Sequence, residues 1–156
     1  NCAWILGDMN KNLGDDLDFD EIMRVINVNA IGTLRITNAL FSLVLNSSKK
    51  TIVNISSEAG SIADCWRTGW FGYCMSKAAN NMQSALVHNN IQKLGGKVFA
   101  IHPGHVATYM RGHLDTTAKI TPDVSAEGIL HVVLDMPHPI NSRPLYLDYT
   151  GKELPW

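Results

Sequence analysis

The sequence predicts an α/β fold, a doubly wound parallel sheet with helices on its faces. Two observations carry this. Segments with helical spacing alternate with short β-branched runs, in the order helix, strand, helix, strand, helix, strand, and that alternation is the pattern of a parallel sheet. The strand candidates are short, continuous apolar runs, as strands buried on both faces are. The chain has 156 residues and 46% hydrophobic content. That length fits a single domain segment over residues 1–156 and can bury a real core.

Residues 5–17 carry Gly7, Gly14 and a run of Asn and Asp, and read as a loop. Asp18 followed by Glu21 is a capping-box variant that starts a helix. From there Ile22, Met23, Val25, Ile26, Ile31, Leu34, Ile36, Leu40, Phe41 and Val44 recur at helical spacing to about residue 45. Thr51–Ile55 is a buried strand that meets a loop at Ser56 and Ser57. Residues 58–70 are small and polar with two Trp, hence loop. Residues 71–94 form a second long helix, ended by Gly95 and Gly96. Val98–Ile101 is the next strand, broken by Pro103 and Gly104. Thr121 and Pro122 open a helix with Pro at its first position, running to about Asp135. Leu145–Leu147 is a last short strand.

Composition excludes several function classes. The net charge is −1, from 13 Lys and Arg against 14 Asp and Glu, and a general nucleic-acid binder needs a clustered basic excess. No apolar run approaches the roughly 20 residues needed to span a bilayer. Three cysteines (Cys2, Cys65, Cys74) without metal spacing, and no charged-then-apolar leader, point to a reducing, cytoplasmic setting. His102, His105 and His113 match no zinc spacing, so no metal site is expected.

Tyr73 and Lys77 stand at i and i+4 near a helix start and so share one face. A free phenol titrates near 10 and is a poor acid at neutral pH. A cation about 4 Å away, at an effective dielectric near 20, is worth roughly 4 kcal/mol, or about three pK units. A phenol brought towards neutrality in this way can give a proton to a carbonyl oxygen and take it back. Ser57 lies just past a strand's C-terminal end, where open α/β sheets place their ligands, and its hydroxyl can bond the same carbonyl oxygen. It can equally well cap the strand. Trp66, Trp70, Tyr109 and Met110 fit either a pocket lining or core packing.

With these residues in place, the sequence resembles the classical short-chain dehydrogenases/reductases. The match consists of Val25–Ile31 (Val-Ile-Asn-Val-Asn-Ala-Ile), Ile52–Ser57 (Ile-Val-Asn-Ile-Ser-Ser), Tyr73–Lys77 (Tyr-Cys-Met-Ser-Lys) and Pro103–Thr108 (Pro-Gly-His-Val-Ala-Thr), in family order and at family-like spacing. Details such as Gly60–Asp64, Gly69–Tyr73 and the ending Leu147–Trp156 are most similar to the sniffer-type and C-factor-type carbonyl reductase branch.

The resemblance implies NAD(P)-dependent hydride transfer between a nicotinamide cofactor, NADP or NAD with NADPH favoured, and a small carbonyl or alcohol substrate. Tyr73 is then the general acid and base. Ser57 orients the carbonyl, and Lys77 lowers the Tyr73 pKa and holds the nicotinamide ribose. Asn27 holds a water that links Lys77 to solvent, through a local break in its helix; Asn29 competes for that role in a poorer register. Asn1, Ala3, Pro103, Gly104, Val106 and Thr108 line the cofactor. No T-G-x-x-x-G-x-G loop occurs among the 12 glycines. The resemblance therefore implies that this chain is the C-terminal half of a Rossmann-type domain, with on the order of 80 residues of βαβ structure upstream. It also implies a homodimer or homotetramer through the helices at about 19–45 and 71–94. Trp4, where the family has Gly, and the missing loop favour the alternative of a non-catalytic binding or scaffold fragment.

Overall fold

The three short apolar runs do form the sheet. In the computed structural model, which describes residues 1–2, 4–137 and 143–156, β1 is Thr51–Ile55, β2 is Lys97–His102 and β3 is Leu145–Asp148. They pair in parallel in the order β1-β2-β3, with Ile55 opposite Ile101 and Ile101 opposite Leu147. Parallel neighbours need long crossovers, and helices provide them. Helix α4 (Phe71–Ile91) joins β1 to β2, and α5 (Pro122–Leu134) joins β2 to β3. Thr121 caps α5 by accepting from the Val124 amide, with Pro122 just inside.

Side chains alternate across the strands, so each face of the sheet has its own apolar cluster. Phe99, Ile101 and Leu147 pack with Val132 of α5 on one face. Ile52 and Val98 pack with Ile91 of α4 on the other, joined by Phe41, Val44 and Leu45 from the helical segment before β1. Helices on both faces make this a Rossmann-type, doubly wound arrangement.

The helical segment before β1 is not the single helix its periodicity predicts. It divides into α1 (Phe19–Ile26), a π-helical turn (Asn27–Gly32), α2 (Thr33–Ala39) and α3 (Phe41–Asn46). Asp18 caps α1 through the Glu21 amide at 2.9 Å. The π turn takes one extra residue per turn, so it shifts which side chains face inward without disturbing the apolar count. Leu40, with φ −97° and ψ 5°, separates α2 from α3.

Helix α4 meets β1 mainly through polar groups. Asn54 donates to Ser84 at 2.8 Å, Ser56 donates to Asn81 at 2.5 Å, and the Asn81 amide donates to the Gly60 carbonyl at 3.2 Å. Buried polar groups are tolerated only when paired in this way. A short 3₁₀ turn (Glu58–Gly60) follows β1 and lies directly on α4. A Cβ at Gly60 would sit 2.9 Å from the Lys77 carbonyl oxygen and 2.9 Å from the Asn81 amide nitrogen. Among the described residues no helix is long and apolar enough to cross a membrane.

Gly60→Ala is therefore expected to push the 3₁₀ turn off α4 and to cost about 1–3 kcal/mol. Urea unfolding of the two proteins checks this; an unchanged midpoint would show that the contact is not tight.

Candidate active site

Ser57 sits two residues beyond β1, at the carboxyl edge of the sheet, with its backbone extended. Its hydroxyl accepts from the Ala59 amide at 3.2 Å, capping the 3₁₀ turn, and lies near enough to the Tyr73 phenol to favour its ionised form. Capping and site geometry are thus served by one side chain. Tyr73 lies in the first turn of α4 and is buried. One turn later, Lys77 is buried at 1% exposure. Its ammonium donates to the Ile55 carbonyl at 3.0 Å and lies 5.6 Å from the Tyr73 ring centre. Tyr146 on β3 closes the back of the site, its phenol donating to the Ser57 carbonyl at 2.5 Å.

The electrostatics differ from the expectation drawn from spacing. The Tyr73 phenol is raised above its ordinary value, not lowered, because burial outweighs the opposing effect of the Ser57 hydroxyl. Lys77, one turn away, is desolvated by the same packing, and its pKa is lowered to about 8. Both groups keep their protons at pH 7. Tyr73 is held as a proton donor and Lys77 as a cation that gives up its charge above about pH 8.

Asn27 does not reach this cluster. It is exposed, and its side chain accepts from Arg35 at 3.0 Å. Asn29 points inward instead, at 1% exposure. Its carbonyl accepts from the Ile5 amide and its amide donates to the Ile5 carbonyl, each at 2.8 Å, and it also donates to Ser76 at 2.9 Å. Ser76 in turn donates to the Tyr73 carbonyl at 2.7 Å. The local break is present, as the π turn, but it delivers Asn29. Asn29 stands four residues after Val25, which is fully buried, and the two share an inward face.

The remaining predicted cofactor contacts fall in three places. Pro103, Gly104, Val106 and Thr108 follow β2 at the same sheet edge as Ser57, all half-buried. Gly104 has φ +86°, and a Cβ there would meet Ile120 at 2.7 Å, so only Gly fits. Val106 bridges to Ile120, and Thr108 accepts from the Asp115 amide at 3.0 Å, which folds the 105–120 loop back on itself. His105 and Asp115 clamp that loop at 2.8 Å; the Thr117 hydroxyl, then His105, holds the Asp115 carboxyl well below the usual carboxylate range. Asn1 runs beside β1, donating to the Val53 carbonyl and, through its side chain, to Thr37 and Asn54. Ala3 lies outside the described residues.

Trp70 enters α4 in the left-handed region, φ 63°, which is unusual for a bulky side chain, and sets its ring edge-on to Tyr73 at 6.3 Å. Arg67 stacks on it at 5.0 Å. Neither Arg67 nor Tyr146 was a candidate from spacing, because both act through long-range contacts.

The sequence and fold that carry this cluster match a known family. The family profile described as short chain dehydrogenase matches residues 3–119. The chain belongs to that family. It is 34% identical over 141 residues to C-signal of Myxococcus xanthus, covering 90% of this chain and 82% of that protein. The fold superimposes on an NADPH-bound carbonyl reductase from chicken fatty liver with a TM-score of 0.81 and 29% identity, covering 96% of this chain and 63% of that one. It also superimposes on the carbonyl reductase Sniffer of D. melanogaster with a TM-score of 0.82 and 21% identity, covering 96% and 63%; at that identity the likeness is one of fold. The chain thus spans just under two thirds of the solved reductases it matches.

Removing the Asn29 side chain takes away the partner of the Ile5 amide and carbonyl and the donor to Ser76. Asn29→Ala is expected to cost about 2–3 kcal/mol, while Asn27→Ala stays within about 0.5 kcal/mol. Chemical denaturation of both variants checks the assignment; equal effects would contradict it.

Proposed function

We propose that the protein works as an NAD(P)-dependent carbonyl reductase in which Tyr73 is the general acid and base, with NADPH favoured. The observation that carries this reading is the grouping of Ser57, Tyr73 and Lys77 at the carboxyl edge of the sheet, with the Lys77 ammonium 5.6 Å from the Tyr73 ring centre and on the Ile55 carbonyl. The residues present fit a nicotinamide cofactor. Lys77 is a buried cation with three donors, of which one is used, on Ile55. Gly104 leaves the backbone after β2 open to close approach. Lys77 is the residue to hold ribose hydroxyls, and Pro103, Gly104, Val106 and Thr108 are those to line the nicotinamide end. The cofactor, when bound, supplies the hydride.

The chain's own residues handle the proton. Ser57 donates a hydrogen bond to the substrate carbonyl oxygen and fixes its position against the phenol. Tyr73, protonated at neutral pH, gives its proton to that oxygen as charge develops there. The Lys77 cation stabilises the phenolate left behind. Asn29, through Ser76 and the first turn of α4, holds the Tyr73 backbone in place.

Two coarser features go with this reading. Met75, Met82 and Leu86 form an exposed apolar stripe on α4, and Phe19, Met23 and Leu43 are exposed on the helices before β1. We propose that a second copy of the chain covers them, in a homodimer or homotetramer. A cytoplasmic setting suits the free thiols of Cys2, Cys65 and Cys74.

Tyr73→Phe is expected to abolish carbonyl reduction in the intact protein and to leave NADPH binding within about threefold, since the phenol's work is confined to the transition state. NADPH oxidation and a fluorescence titration measure the two. Retained turnover contradicts the role of Tyr73; absence of NADPH binding by the unmodified protein favours the scaffold alternative.

A further inference from the structure

Beside the 3₁₀ turn that follows β1 the structure holds a cleft of about 390 Å³ whose lining includes Glu58, Ser61, Trp66, Arg67, Tyr146 and Pro155. Its distinctive member is Arg67. The side chain is nine-tenths buried, and the guanidinium is stacked between two indoles, 4.5 Å from the Trp66 ring centre and 5.0 Å from that of Trp70. Stacking of this kind fixes the plane of the guanidinium and leaves its edge to bond. Its Nη2 donates to Glu58 Oε1 at 2.6 Å, while Nε is buried and has no hydrogen-bond partner.

A guanidinium has five donors, and the Nε–Nη2 edge matches the two oxygens of a carboxylate side-on. Glu58 uses that edge at one point only. Leaving a buried donor idle costs about 1–3 kcal/mol, and a ligand that takes both nitrogens removes the cost. Glu58 is half exposed, at 53%, so it can leave for water at little expense. Arg111, on the 105–120 loop, also stacks on Trp70, 5.8 Å from its ring centre. Asp64 also lines the cleft and opposes an anion, so selection rests on the geometry of Arg67 and not on bulk charge. The route to the reacting centre is short: Trp70 separates Arg67 from Tyr73 by a single ring.

We propose that this cleft takes the carboxylate end of an aromatic aldehyde or ketone, and that Arg67 is the residue that selects for it. The carboxylate displaces Glu58 from the Arg67 edge, the aromatic body lies in the cleft against Trp66, and the carbonyl is turned towards Ser57 and Tyr73. The identity of the reacting group rests on the carbonyl-reductase reading; recognition of the carboxylate does not.

The test is a binding measurement that needs no turnover. 4-Formylbenzoate and its methyl ester are titrated into the intact protein while tryptophan fluorescence is followed, since two of the four tryptophans flank Arg67. The acid is expected to bind about tenfold tighter than the ester, the loss of one charge-assisted bidentate pair. Arg67→Gln removes that preference, Arg67→Lys keeps part of it, and Glu58→Gln tightens the acid severalfold while leaving the ester unchanged. Equal binding of acid and ester, or a folded Arg67→Gln that still prefers the acid, overturns the proposal. Where Arg67→Gln does not fold, Glu58→Gln decides: no gain for the acid overturns it as well. NADPH oxidation with both compounds separates the two readings. Preferential binding of the acid with neither compound reduced upholds the anion site and removes the reductase.

Discussion

The site depends on burying a lysine. An ammonium taken out of water is costly unless its surroundings are arranged for it, and Lys77 is held under the carboxyl end of β1 by the Ile55 carbonyl. That position sets the neighbouring geometry. β1 has to end there, so that Ser57 turns towards α4. The 3₁₀ turn that follows has to lie against the Lys77 backbone, which only a residue without a side chain allows, and Gly60 stands there. The first turn of α4 is then fixed from two sides, by Gly60 and Asn81 on one and by Ser76 and Asn29 on the other. Tyr73 projects from that turn. Its protonated state and the lowered Lys77 pKa have one cause: the same packing desolvates both.

Most of the architecture was legible in the sequence because each element carries a local signal. The β-branched run at Thr51–Ile55, the Pro after Thr121 and the capping pair Asp18 and Glu21 are decided by chemistry within a few residues. Tyr73 and Lys77 were legible as a pair because helical spacing alone puts them on one face. What was hidden depends on burial or on one-residue shifts. A π turn leaves the apolar rhythm of residues 19–45 almost intact, yet it decides which of Asn27 and Asn29 turns inward. The polar residues of α4, Ser76, Asn80, Asn81 and Ser84, read as a surface, but all four are buried; Asn81 and Ser84 pair with the end of β1, Ser76 pairs with Asn29, and Asn80 is paired within the helix. The direction of the Tyr73 shift was misjudged for the same reason: spacing reports the nearby charge and says nothing of lost water.

The division of labour within the fold follows from this. The sheet edge and the first turns of α4 hold Ser57, Tyr73 and Lys77, the groups proposed to handle the proton, on or beside regular elements whose positions are over-determined by packing. The 58–70 and 105–120 loops carry Trp66, Arg67, Trp70 and Arg111, and loops are where selection for a substrate is normally placed. The strained backbone of Trp70 joins the two, since the residue that opens α4 also stacks on Arg67. Kinship with the short chain dehydrogenases accounts for the first part and leaves the second to this chain's own residues.

The most direct test of the account is the titration of Lys77 itself, followed by NMR of its side-chain ammonium in the protein and assigned with Lys77→Met. A midpoint of about 8 is predicted, well under the ordinary 10.5, with the charge in place at neutral pH and lost as the pH rises further. A midpoint near 10.5 would mean that the ammonium is hydrated and free of β1, and the packing that positions Tyr73 would not be as described.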